Sequence, residues 1–174
     1  MKSFILIQKK FSVPLLFLLF TVLSQTVITA QTNFSGNWEF DKTQSSGDLT
    51  ELTYDGTVIM HVSQKLSVLN VGETWKNKDN PDFNTADDTY NLDGKEQTTK
   101  SDFGTQKKTA RWSADKKILT ISITDIQELN GKMQEFLVED TYKLSDDKKT
   151  LTVERYSKNP VTGETRAKKV YRKK

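Results

Sequence analysis

The sequence predicts an all-β domain, an antiparallel meander closing into a barrel of eight to ten strands. Three observations predict it. Threonine, valine, isoleucine and aromatic residues recur in short alternating runs bounded by Asp, Asn, Gly and Lys; helical periodicity is nearly absent; and one hairpin occurs twice. The repeat is Trp112-Ser-Ala-Asp-Lys-Lys-Ile-Leu-Thr-Ile121, which aligns 32 residues on with Leu144-Ser-Asp-Asp-Lys-Lys-Thr-Leu-Thr-Val153. Both copies put polar turn residues between alternating runs, so consecutive strands pair antiparallel. A long meander of short strands escapes exposed edges most completely by closing on itself. A β-sandwich is the alternative, because periodicity does not decide closure.

Residues 1–30 precede the sheet and read as a signal peptide. Lys2, Lys9 and Lys10 lead into an uncharged apolar run from Val13 to Leu23, closed by Thr29 and Ala30. The run is shorter than the roughly 20 apolar residues a transmembrane helix needs. Cleavage after Ala30 is expected, giving a secreted or periplasmic protein without stable membrane insertion. With those three lysines removed, 23 basic residues balance 23 acidic ones, which argues against nucleic-acid binding by the domain as a whole. The chain has no cysteine, which excludes disulfides, thiolate metal sites and cysteine nucleophiles. The remaining segment, 31–174, matches one ordinary domain of about 144 residues.

In chain order the expected strands are 36–41, 57–64, 66–75, 88–92 and 96–102, then 106–113, 118–126, 134–144, 150–157 and 165–172. Phe34, Trp38 and Phe40 share one face of the first. Val58, Met60 and Val62 share a face of the second, and Leu119, Ile121 and Ile123 a face of the seventh. Phe136, Val138, Tyr142 and Leu144 do so in the eighth, while Glu39, Thr120, Glu139, Lys143 and Thr152 take the opposite faces. Trp75, Trp112, Tyr90 and Tyr142 read as core packing. Residues 79–88 carry Asp79, Asp82, Asp87 and Asp88 but lack the glycine and terminal glutamate of a calcium-binding loop, so they read as a long strand connection. His61, the only histidine, reads as an exposed strand residue without metal partners. Asn33-Phe-Ser35 fits a glycosylation sequon.

One polar pair stands out. If Leu144 lies opposite Leu151, then Tyr142 faces Val153 and Asp140 faces Arg155, on the side that carries Phe136. Neither ion tolerates apolar burial alone, so each implies the other, a water-filled cavity or a bound polar group. Lys169 and Tyr171 share a face two residues apart, although Val170 argues that the opposite face is the interior one.

The segment Phe34-Ser-Gly36-Asn-Trp38-Glu-Phe40 resembles the Gly-x-Trp opening of lipocalins and fatty-acid-binding proteins. Lys169-Val-Tyr171-Arg-Lys is similar to the last strand of fatty-acid-binding proteins. With Leu144-Ser-Asp-Asp-Lys-Lys-Thr-Leu-Thr-Val-Glu-Arg155, most of residues 33–172 resembles small secreted bacterial lipocalin-like proteins. There is no cysteine pair, and Asp140-Thr-Tyr142 only scrambles the Thr-Asp-Tyr of secreted lipocalins. The resemblance implies a lipocalin-like barrel over 31–174, with Trp38 and Phe40 closing one end beneath a ligand cavity. It also implies that Arg155 or Arg172 packs on Trp38, and that Lys169 with Tyr171 holds a ligand carboxylate.

The reading that follows is a monomeric barrel binding a small hydrophobic or amphipathic ligand through Trp38, Phe40, Met60, Phe136, Asp140, Tyr142, Arg155, Lys169 and Tyr171. It has no catalytic residues, metal ligands or cofactor, because no Ser-His-acid triad, phosphate loop or assignable catalytic carboxylate pair is found. Its rivals are a protein-interaction or inhibitor module of the cell envelope and, third, an enzyme on the same barrel.

Overall fold

The computed structural model describes residues 30–174, so the expected signal peptide lies, Ala30 apart, outside the described residues. Among the described residues no helix is long and apolar enough to cross a membrane. The elements are β1 Gly36–Phe40, β2 Ser46–Gly47, α1 Thr50–Thr53, β3 Thr57–Lys65, β4 Val68–Asn77, β5 Asn80–Asn84 and β6 Asp88–Asn91. They continue as β7 Gln97–Ser101, β8 Gly104–Trp112, β9 Ile118–Leu129, β10 Lys132–Leu144, β11 Thr150–Asn159 and β12 Gly163–Lys173.

All strands belong to one sheet in the order β5-β4-β3-β1-β12-β11-β10-β9-β8-β7, with β2 added to β12 and β6 to β4. Every pairing is antiparallel, and only the β1–β12 and β2–β12 contacts join distant parts of the chain. Trp38 lies opposite Lys173 and Phe40 opposite Tyr171. The two copies of the repeated hairpin fold alike. In each, the serine hydroxyl (Ser113, Ser145) donates to the aspartate carboxylate two residues on (Asp115, Asp147) at 2.6 Å, and a lysine (Lys116, φ 59°; Lys148, φ 57°) takes the left-handed turn position.

Each of the ten expected strands falls on an observed one, but the sheet has twelve. The two additions are β2 and β5. Residues 79–88, expected as a connection, form β5 and enter β6. Pro81 is tolerated there because β5 is an edge strand, where a missing N–H costs no ladder bond. β2 pairs with β12 only because Gly47 has no side chain: a Cβ there would lie 2.6 Å from the Ala167 Cα, and φ is 101°.

The sheet is not closed by a hydrogen-bonded ladder. It curls until β6 approaches β8, where Lys108 Nζ donates to Asp88 Oδ1 at 2.6 Å and stands 5.4 Å from the centre of the Tyr90 ring. The core fills one end of the concave face. Phe34, Trp38, Leu69, Leu119, Ile121 and Leu151 are all but inaccessible. Trp38 Nε1 donates to the Phe34 carbonyl at 2.9 Å, and Phe34 stacks on Trp112 with ring centres 5.7 Å apart. The cation over Trp38 is Lys173, at 5.5 Å, rather than Arg155 or Arg172, which are engaged by Asp140 and Asp41.

Candidate functional site

Halfway along the strands the concave face changes from apolar to charged. On β4 the inward positions run Leu69, Val71, Glu73, Trp75; on β11 they run Leu151, Val153, Arg155; on β12 they run Tyr171, Lys169. Asp140 on β10 and Lys108 on β8 share that second half. Beyond the packed floor lies a cavity of about 470 Å³. Met60, Val71, Trp75, Ile123 and Val153 supply its apolar wall.

Two ion pairs cross the charged half. Asp140 and Arg155 face each other in the β10–β11 register. Arg155 Nε donates to Asp140 Oδ1 at 2.7 Å and Nη2 to Oδ2 at 2.6 Å, a bidentate fork. The Asp140 carboxylate, by accepting these bonds, pushes the Arg155 pKa above the usual guanidinium value against the opposing effect of burial. The second pair joins Lys169 Nζ to Glu51 Oε1, both side chains almost wholly buried. Glu51 comes from α1, a four-residue helix with no side-chain cap. Burying an ammonium with no partner costs several kcal/mol, of the order of 5, so the inward phase of Lys169 calls for a carboxylate that the chain itself supplies.

Three phenols complete the wall. Tyr90, Tyr142 and Tyr171 are buried, and burial pushes each pKa upward, with Asp88, Asp140 and Glu73 respectively the next cause. They stay protonated, and each hydroxyl can both donate and accept a hydrogen bond. Glu73 accepts a bond from Trp75 Nε1 at 3.0 Å, and Tyr54 packs edge-on against Trp75, ring centres 4.9 Å apart.

Six of the nine residues singled out from sequence meet at this cavity: Met60, Asp140, Tyr142, Arg155, Lys169 and Tyr171. Trp38, Phe40 and Phe136 do not reach its wall. Trp38 is locked into the floor, and Phe40 packs edge-on against Tyr171 at 5.5 Å. Phe136 lies further along β10, opposite Asp125 of β9. Val170 is buried as well as Lys169 and Tyr171, so β12 is covered on both faces, which is why Val170 misleads about its phase. Sequence reasoning missed Glu51, Glu73 and Asp88. An inward lysine on a late strand signals that some carboxylate must answer it, though not which. His61 is exposed on the opposite face of β3, bonded to Asn37 and Thr74. Two of the four acids of 79–88 meet lysines, Asp82 with Lys76 at 2.8 Å and Asp88 with Lys108.

No protein-family model and no curated protein matches the chain. Among solved structures, the chain is similar to a crystal structure of zebrafish ileal bile acid-binding protein complexed with cholic acid. The identity is 14%, the TM-score 0.48, and the match covers 81% of this chain and 98% of that one.

Proposed function

We propose that this is an exported, monomeric binding protein whose sheet completes a lipocalin-like barrel at the β6–β8 seam and holds a small amphipathic ligand. The cavity carries the reading. At about 470 Å³ it falls within the several-hundred-Å³ range of small-molecule sites, and it mixes an apolar wall with a few convergent polar groups. The ligand's apolar part lies against Met60, Val71 and Val153, and its polar part meets the charged half beside Arg155 and the tyrosines. A structural or protein-docking module has no need of a hollow beside so well packed a floor. The chemistry favours binding over catalysis: the tyrosines hold their protons more tightly than usual, and the guanidinium is paired with Asp140.

The test is to express the full-length sequence in an exporting host, purify the protein without delipidation, and combine native mass spectrometry with denaturing extraction. A small molecule at near one-to-one stoichiometry, on a chain beginning at Gln31, is the expected result. An empty protein that also ignores a panel of soluble amphipaths overturns the binding reading. A retained amino-terminal segment overturns the export reading alone.

A further inference from the structure

The charge balance inside the cavity goes further than the reading it rests on and names a ligand class. We infer that the cavity takes an amphipathic cation, an alkylammonium-like molecule, in preference to a carboxylate. The two cations of the lining are already matched in charge by carboxylates of the chain. Lys169 is held by Glu51, and Arg155 presents its fork to Asp140 through two short bonds. Donors left over, Arg155 Nη1 among them, still reach a ligand carboxylate, but its charge joins carboxylates that already offset both cations in the same low-dielectric space.

The acids are in excess. Asp48, Glu51, Glu73, Asp88 and Asp140 line the cavity against Arg155 and Lys169. With Glu51, Asp140 and Asp88 paired to Lys169, Arg155 and Lys108, Glu73 and Asp48 remain without an ion-pair partner among the described residues. Glu73 accepts one bond, from its neighbour Trp75, and keeps acceptor capacity for a ligand donor. Trp75 and Tyr90 stand in the same wall, and the Tyr90 ring already draws one cation, Lys108, to 5.4 Å from its centre. The uncompensated charges in the wall are therefore negative and favour a cation, while Met60, Val71 and Val153 accept an alkyl chain.

The experiment compares three probes of one chain length, decyltrimethylammonium, decanol and decanoate, each titrated calorimetrically below its micelle threshold into the protein from the full-length sequence. The ammonium is expected to bind about tenfold more tightly than decanoate, the effect of one or two like charges a few ångströms away at intermediate dielectric. Glu73→Gln is expected to narrow that preference and leave decanol unchanged. The wild-type ranking stands without any variant, and Asp48→Asn repeats the test at an exposed position should Glu73→Gln not fold. Decanoate binding as tightly as the ammonium overturns the charge assignment while the cavity reading survives. Failure of all three probes, decanol included, overturns both.

Discussion

Asp140 and Arg155 face each other across the β10–β11 ladder and close a bidentate pair inside the sheet, at 2.7 and 2.6 Å. Removing one partner leaves the other charged in a poorly solvated place, whereas removing both removes the problem. Arg155 keeps about a third of its side-chain surface accessible, which moderates the cost. Asp140→Ala and Arg155→Ala are each expected to destabilise by about 2 kcal/mol, and the double change Asp140→Leu with Arg155→Met by less than either. Urea midpoints of the four proteins check this; a double variant weaker than both single ones contradicts it.

Glu51 ties α1 to β12. A four-residue helix has no stability of its own, so its anchor decides whether it stays in place. Glu51→Gln is expected to speed amide exchange across residues 50–54 well before the rest of the sheet responds, and to lower stability by about 3 kcal/mol. Exchange mapped by mass spectrometry reads this directly. Unaltered protection at 50–54 shows instead that Leu49 and Tyr54 hold the segment.

Alkali and acid act on different groups. The folded pKa values of Tyr90, Tyr142 and Tyr171 lie above the unfolded value of about 10, so their contribution is complete below that pH and drains away as the pH climbs past it. Phenolate absorbance is expected to show these three appearing together with the loss of β-sheet circular dichroism, not before it. Asp41 behaves oppositely. Its bond from Thr43, then the one from Arg172, holds its pKa below the usual carboxylate value, so its contribution is present above about pH 4 and is lost as the pH falls further. Phenolate formation in a chain that still shows its sheet signal contradicts the burial argument.

Lys116 and Lys148 sit at φ 59° and 57°, a region costly for any residue with a Cβ. Glycine at either place removes that cost but adds freedom to the unfolded chain, leaving a net gain of ~0.5 kcal/mol. The turns share no partner, so Lys116→Gly and Lys148→Gly together are expected to raise Tm by about 2–4 °C. A fall in Tm for either single change shows that the lysine itself stabilises its turn.

Alternation alone makes the β10–β11 register legible: with Leu144 opposite Leu151, every residue back to Asp140 and Arg155 follows by twos. The same reasoning fails for β5, because Asn80, Pro81, Asp82 and Asn84 are poor strand formers and only the edge of β4 makes a strand of them. β2 is too short to carry a period at all. Glu51 lies 118 residues from Lys169, in a helical turn whose sequence, Thr-Glu-Leu-Thr, announces neither burial nor a partner. Local patterns record which face a residue takes; they do not record which distant residue answers it across a cavity.

The middle of the sheet is built from the two strands furthest apart in the chain. β1 lies between β3 and β12, and β12 lies between β1 and β11. The stretch 172–174 fastens this join, with Arg172 on Asp41, Lys173 over Trp38 and Lys174 on Glu39. Such a sheet cannot grow strand by strand from its first residues, because β1 has only half its partners until β12 arrives. The β1–β12 pairing joins the two ends of the sheet's sequence, and topologies with such long-range pairings fold slowly. The hairpins from β8 to β11 join neighbours in the chain, whereas the tryptophan floor is complete only when β12 lies beside β1 and Lys173 stands over Trp38.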